Sequence, residues 1–193
     1  MKYVLSTVTI GIAMVVIVGL ADGADRDLGS MFKPAYDDDG ALQLPTGYRE
    51  WVYVGASLGL SYSEEIKREG PGRFHHIYMQ PEAYRQYRDE GTFPEKTMLV
   101  MENYSAGSKE NPNLHGYFED KRVGLEVALK DSEHFEDGWA YFNFTTAKGL
   151  GQTAKAFPKA ACYDCHAEHA QDDNVFVQFY PILREAAEKR SAK

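Results

Sequence analysis

The sequence has little cysteine and little positive charge, and each shortage excludes a class of protein. Its 193 residues include two cysteines, Cys162 and Cys165, too few for the disulfide framework of a small secreted scaffold. Two thiols alone also cannot form a four-ligand structural zinc site. With 21 basic against 29 acidic residues and a net charge of −8, the chain lacks the basic face that a nucleic-acid partner requires.

Long apolar runs are also scarce, and the one that is present is N-terminal. Lys2 precedes an uncharged stretch from Tyr3 to Leu20, and Gly19-Leu20-Ala21 has the small-x-small pattern of a cleavage site. These features predict a secretory signal peptide over residues 1–21. An uncleaved membrane anchor is the alternative, because the run borders on transmembrane length. Both interpretations predict an exported, acidic domain, and we expect it in the periplasm.

The exported part has the length of a single domain. Residues 22–43 are rich in Gly, Asp and Pro, which predicts an extended N-terminal arm. The first apolar cluster follows, so we assign residues 44–193 to one domain. A domain of this size buries a sufficient core without disulfides.

Composition and turn signals predict an α+β fold, mainly an antiparallel sheet of four or five strands, with short helices towards the C-terminus. Pro81 and Gly91 are typical of the beginning and end of a helix. The predicted strands are Arg73–Met79, Thr97–Glu102 and Trp139–Thr146, and a hairpin is predicted with arms 117–118 and 123–130 around Glu119-Asp120-Lys121-Arg122.

The two cysteines belong to the segment Cys162-Tyr163-Asp164-Cys165-His166, a C-x-x-C-H pattern typical of c-type haem attachment. Two thiols three positions apart can form thioethers with the two vinyl groups of one haem, and His166 is then placed as the proximal iron ligand. One copy of the pattern predicts one covalent haem c. Its position near the C-terminus, after a β-rich region, favours a haem held against a sheet.

A cysteine pair with this spacing has three other interpretations. A thioredoxin-like redox pair would normally open a helix in a βαβ unit and needs no following histidine. A zinc site would need more ligands than the nearby His169 supplies. A plain disulfide between Cys162 and Cys165 remains the second interpretation, since an exported protein permits one.

Several short motifs elsewhere in the chain occur together with the C-x-x-C-H pattern. They are Leu44-Pro45-x-x-Tyr48-Arg49-Glu50-Trp51-Val52, Pro81-Glu82-x-Tyr84, Gly116-Tyr117-Phe118, Val123-Gly124-Leu125-Glu126-x-x-x-Lys130-Asp131-Ser132, Trp139-Ala140, Val175-Phe176 and Phe179-Tyr180-Pro181. In this combination the chain resembles the cytochrome P-460 family. The resemblance implies a β-rich fold, a homodimer and a five-coordinate haem c with an open distal side. It also implies hydroxylamine oxidation, whereas the related cytochrome c′-beta has the same fold and binds nitric oxide.

The sequence departs from the family at one position. In the hydroxylamine-oxidising members a lysine is linked covalently to the haem macrocycle, and alignment through Gly91-Thr92-Phe93 places Met101 there. The nearest lysines, Lys96 and Lys130, are out of register, and a slip of one residue would turn a strand over. We therefore interpret Met101 as a haem-edge residue that cannot make this bond.

Strand periodicity places Met101 on the same face as Leu99 and Asn103. On the following strand Gly124, Glu126, Ala128 and Lys130 share one face, and Val123, Leu125, Val127 and Leu129 form an apolar face that should meet the core. Small residues beside Glu126 suggest room for a flat cofactor.

Glu126 is the candidate catalytic residue. By the resemblance it lies beside the haem and relays protons from a bound nitrogen ligand, whereas the residues alone favour a solvated sheet face. Phe142 or Phe144 is expected to limit access to the iron.

Three functions fit these expectations. The first is oxidation of hydroxylamine, with a soluble protein as electron acceptor. The second is nitric oxide binding, which requires no cross-link and therefore agrees better with Met101. The third is electron transfer, with Met101 or Met98 as the sixth iron ligand.

Overall fold

The computed structural model describes residues 33–60, 69–112 and 115–192. The signal peptide expected at residues 1–21 lies outside the described residues, and so does the first half of the expected arm, residues 22–32. In the part that is described, no helix is both long and apolar enough to cross a membrane.

A five-stranded antiparallel sheet is the centre of the described structure. Its strands in spatial order are β2 (Val52–Leu58), β3 (Arg73–Met79), β4 (Met98–Gly107), β5 (Phe118–Lys130) and β6 (Trp139–Asn143). Neighbours in space are also neighbours along the chain, so the sheet is a simple meander. Two short ribbons accompany it, β1 (Leu42–Gln43) with β9 (Thr153–Ala154), and β7 (Thr145–Thr146) with β8 (Gly149–Leu150).

Short helices lie on one side of this sheet. They are α1 (Pro81–Glu90), α2 (Tyr163–His169) and α3 (Pro181–Ser191). The chain also forms 3-10 turns at Tyr48–Glu50, Lys159–Ala161 and Val177–Phe179. Proline begins both α1 and α3, where its missing N–H costs nothing. Gly91 ends α1 in the left-handed conformation (φ 82°), as the sequence predicts. These elements confirm the predicted α+β class.

Both faces of the sheet are buried, each by a different part of the chain. Behind the sheet, β1, β9 and the 3-10 turn at Tyr48–Glu50 cover Val100, Leu125 and Val127. On the other face, α1 and α3 pack over Ile77 and Leu99. The apolar residues along β5 therefore form a core face, as predicted, but β6 is buried on both sides and does not alternate.

The predicted hairpin around residues 119–122 is wrong. Phe118–Lys130 is one continuous strand, and it pairs with β4 as far as Phe118 opposite Gly107. Charged residues can be part of this strand because its beginning is exposed to solvent. The pairing with β4 becomes irregular near Tyr104, and this irregularity lets the two strands stay paired over the exposed part. The segment predicted as one strand, Trp139–Thr146, is two strands separated at Phe144.

The described end of the expected arm, residues 33–43, lies against the domain. Leu42 is fully buried, and β1 pairs with β9, a strand far from it in the sequence. Residues 33–43 are therefore packed against the domain, and the division expected between residues 43 and 44 stays a prediction.

Candidate haem site

A cavity of about 290 Å³ lies between the sheet and the segment that contains the cysteines. This volume is close to the lower end of small-molecule pockets, roughly 300–1,000 Å³. Its walls are mostly apolar, with a carboxyl group and an imidazole among them. The residues that line it are Ile77, Leu99, Met101, Glu126, Val127, Ala128, Tyr141, Phe142, Phe157, Ala161, Cys162, Cys165, His166 and Tyr180.

Two cross-strand rows form the sheet wall of the cavity. In the first row Ile77, Met101 and Glu126 lie opposite one another on β3, β4 and β5. In the second row Leu99 lies opposite Ala128, and Ala128 lies opposite Tyr141 of β6. Residues paired across antiparallel strands present their side chains on the same face. The pairing register therefore brings Met101 and Glu126 together on the cavity wall.

The C-x-x-C-H segment forms the wall facing the sheet. Cys162 precedes α2, and Cys165 and His166 lie within the helix, so one helical turn presents two thiols and an imidazole to the same cavity. Both cysteines are half-buried and unbonded to each other. Burial raises the pKa of the Cys162 thiol, and the nearby Glu126 and Cys165 add to this effect.

The orientation of His166 is fixed by one hydrogen bond and two aromatic rings. Its Nδ1 donates to the carbonyl oxygen of Asn174 at 2.8 Å, a bond that leaves Nε2 with a free lone pair. The rings of Tyr141 and Phe176 lie 4.3 and 4.4 Å from the imidazole. Burial lowers the pKa of His166, partly offset by the bond to Asn174, so the neutral, metal-binding form is favoured.

A tightly held loop supplies the carbonyl group that orients His166. Asp173 and Asn174 both have left-handed backbones, with φ of 42° and 59°. The Asp173 carboxylate accepts hydrogen bonds from the Trp139 indole at 3.0 Å and from Lys130 Nζ at 2.7 Å. The Tyr141 hydroxyl donates to the Asn174 carbonyl at 3.2 Å. Sequence reasoning missed this loop, although Asp172-Asp173-Asn174 is a recognisable turn signal.

Glu126 is the acidic group among the cavity-lining residues. Burial raises the pKa of its carboxyl group, whereas a hydrogen bond from Asn103 and attraction to Arg73 oppose that rise. The Asn103 Nδ2 to Glu126 Oε1 distance is 3.3 Å. A carboxyl group with a raised pKa beside a cavity is suited to taking up and releasing a proton.

The side chains of Lys96 and Lys130 make their ion pairs and hydrogen bonds outside the cavity. Lys96 pairs with Asp131 and Glu133, and Lys130 donates to the Phe93 carbonyl and to Asp173. No lysine is among the described residues that line the cavity.

Two expected site residues are placed away from the cavity, and a third borders it. Met98 and Phe144 are buried in the core behind the sheet. Phe142 is among the residues that line the cavity, but its ring also packs against Phe135 in that core. Met98 faces the core by alternation, because its neighbour Leu99 faces the cavity. The cavity is also lined by the aromatic residues Tyr141, Phe157 and Tyr180.

The donor set of the cavity suits a c-type haem. Two thiols, an imidazole with its Nε2 available and a largely apolar wall are the groups that such a haem requires from a protein. A sequence model of the family described as Cytochrome P460 matches residues 45–177, which is more than half of the chain and includes every one of these groups. No curated protein matches the chain.

Proposed function

The chain belongs to the cytochrome P460 family, which binds haem, and from this we propose that it carries one covalent haem c in the cavity. Cys162 and Cys165 would form the two thioethers, and His166 Nε2 would bind the iron. When bound, the haem supplies an iron centre that takes small nitrogen ligands and passes electrons on. The carbonyl of Asn174 keeps the imidazole in the ligating tautomer.

We propose that the ligand is hydroxylamine, which the protein oxidises. The observation that carries this proposal is the Glu126 carboxyl group on the cavity wall, half-buried and with a raised pKa. Oxidation of hydroxylamine releases protons as well as electrons. Glu126 would accept a proton as an N–H bond breaks, the electrons would leave to a soluble acceptor protein, and Ile77 and Leu99 help to exclude water.

The test is turnover of hydroxylamine by the ferric holoprotein, without oxygen and with an artificial electron acceptor. We expect reduction of the acceptor above that given by free haem. Glu126→Gln should lower the rate about a hundredfold or more, which is typical for loss of a general base. Glu50→Gln, which neutralises an exposed carboxylate, is the control and should leave the rate unchanged. No turnover above free haem would refute the proposal.

Nitric oxide binding is the second candidate function. Met101 favours it, because by the family resemblance this side chain takes the place of the lysine that is cross-linked in the hydroxylamine-oxidising members. No lysine is among the described residues that line the cavity. This alternative predicts tight nitric oxide binding by the ferrous holoprotein, an ordinary c-type absorption spectrum and no hydroxylamine turnover. A strongly red-shifted Soret band would instead indicate a modified macrocycle.

We further propose that the protein is exported to the periplasm and forms a homodimer. The N-terminal sequence pattern supports export, and family membership supports the dimer. Molar mass in solution tests the dimer, and fractionation of the cells tests the location. A monomer at micromolar concentration or a holoprotein found in the cytoplasm would contradict the corresponding proposal.

A further inference from the structure

Asn103 donates a side-chain hydrogen bond to Glu126. It lies on β4 two residues after Met101, on the cavity face of the sheet, and only 3% of its surface is exposed. Opposite it on β5 is Gly124, where a Cβ atom would lie 3.3 Å from Asn103 Nδ2 and 2.8 Å from Thr145 Oγ1. The amide of Asn103 therefore occupies the space beside Gly124, and this space does not belong to the cavity. This placement allows Nδ2 to reach the Glu126 carboxylate.

The other end of the same amide has no hydrogen-bond donor. Asn103 Oδ1 is buried, and no donor among the described residues bonds to it. A buried carbonyl oxygen without a donor reduces the stability of the folded protein by about 1–3 kcal/mol. A donor that becomes available would remove this penalty. A protonated Glu126 is such a donor. An amide can donate to a carboxylate through its nitrogen and, after turning over, accept from a carboxylic acid through its oxygen.

We propose that Asn103 is a positioning residue for Glu126, holding the carboxyl group against the cavity in both of its protonation states. The proposal rests on the proposed proton-accepting role of Glu126 and adds the group that controls it. When Glu126 takes up a proton, an O–H bond forms on the carboxyl group and the donating bond breaks, with its electron pair left on the donor. No other bond changes, and Asn103 exchanges the role of donor for that of acceptor.

Other titratable or charged groups lie near Glu126 and belong in any account of its titration. Arg73 and His75 lie on the same face of β3, with His75 directly opposite Asn103 and hydrogen-bonded to Ser57 at 3.2 Å. Cys162 lies near Glu126 at the start of α2, and the proposed haem attachment would consume its thiol. Arg73 attracts the carboxylate and so supports the charged form, in the same direction as the Asn103 hydrogen bond.

The experiment is an infrared titration of the carboxyl group in ferric holoprotein without hydroxylamine, with Glu126→Gln identifying the band of Glu126. The hydrogen bond to the charged carboxylate is stronger than the one to the neutral acid, so the loss of both in Asn103→Leu should raise the midpoint by about one pH unit. Asn103→Asp should raise it further, since two carboxyl groups would share the site. Asn103→Ser keeps a donor, so its shift should be smaller.

Asn143→Ala is the matched control. Asn143 lies opposite Glu126 on β6, the strand on the other edge of β5, and its amide oxygen accepts a hydrogen bond from the backbone N–H of Thr145. Its midpoint should equal that of the unaltered protein. If Asn103→Leu fails to fold, the serine and aspartate variants decide. The inference is overturned if none of the Asn103 variants that fold moves the midpoint, if Asn143→Ala moves it equally, or if Glu126→Gln removes no titrating band. Absence of hydroxylamine turnover would refute the proposed function alone, since this titration involves no turnover.

Discussion

Met101 on β4 is directly opposite Glu126 on β5, and the two side chains share one wall of the cavity. A thioether therefore stands beside the carboxyl group of the proposed site. It contributes a flexible apolar surface and no ionisable group, so Glu126 has no charged partner at this position. The thioether sulfur of Met101 therefore lies within the site, and a substitution can test whether it binds the iron.

Met101→Leu should leave the iron coordination unchanged. Leucine has a similar volume and no sulfur, so the swap is tolerated in packing but removes any thioether ligand. We expect the same ferric absorption spectrum in the variant and in the unaltered protein, and no near-infrared sulfur–iron band in either. Loss of such a band in the variant would instead identify the protein as a His/Met electron carrier.

Either cysteine alone should retain the haem covalently. In Cys162→Ala or Cys165→Ala one thioether remains, and only the double variant should release all haem on extraction with acidified solvent. The measurement is intact mass together with the extracted haem fraction. Complete extraction from the unaltered protein would contradict covalent attachment and would support the disulfide interpretation.

Trp139→Phe should loosen the orientation of His166. The substitution removes the indole donor to Asp173, which helps to hold the loop that carries the Asn174 carbonyl. We expect a loss of about 1 kcal/mol in the free energy of unfolding and a broadened iron–histidine vibration in the ferrous holoprotein. Trp51→Phe, in the core behind the sheet, is the control. It should leave the vibration unchanged, and equal broadening in both variants would count against a specific role for the loop.

Asp131 should make stability fall in acid. Its carboxylate is fully buried and accepts hydrogen bonds from Tyr36 at 2.7 Å, from His134 at 2.9 Å and from Lys96. Burial alone would raise its pKa, but these partners lower the pKa from 3.8 to about 2. Because the folded-state pKa is the lower one, the stabilisation is complete above the unfolded-state value. It is lost as the pH falls through about 2.

This shift corresponds to roughly 2 kcal/mol, and Asp131→Asn should forfeit about that much at pH 7. Urea unfolding measured at several pH values tests the prediction. The difference in unfolding free energy between the two proteins should shrink as the pH falls from about 5 to about 2. A constant difference would show that the loss comes from packing. Glu133→Gln, whose side chain is 78% exposed, is the control and should cost less than 1 kcal/mol.

The sequence by itself determined the features that depend on neighbours along the chain. The cysteine spacing and the adjacent histidine need only one helical turn to present three donors together, so the local pattern was sufficient. Alternation along a strand likewise placed Met101 on one face of β4 and Glu126 on one face of β5. The limits of Arg73–Met79 and the Gly91 helix end followed from local propensity, because each has its stop signal in the sequence.

Only the tertiary structure decided which faces meet. The register between β4 and β5 sets Met101 opposite Glu126, and it depends on the whole ladder, including the irregular pairing near Tyr104 that the predicted hairpin missed. The Asn174 carbonyl reaches His166 because Trp139 and Lys130 hold its loop from strands far away in sequence. Such contacts join distant segments through burial and long-range pairing, and no local pattern encodes which distant segment will be the partner.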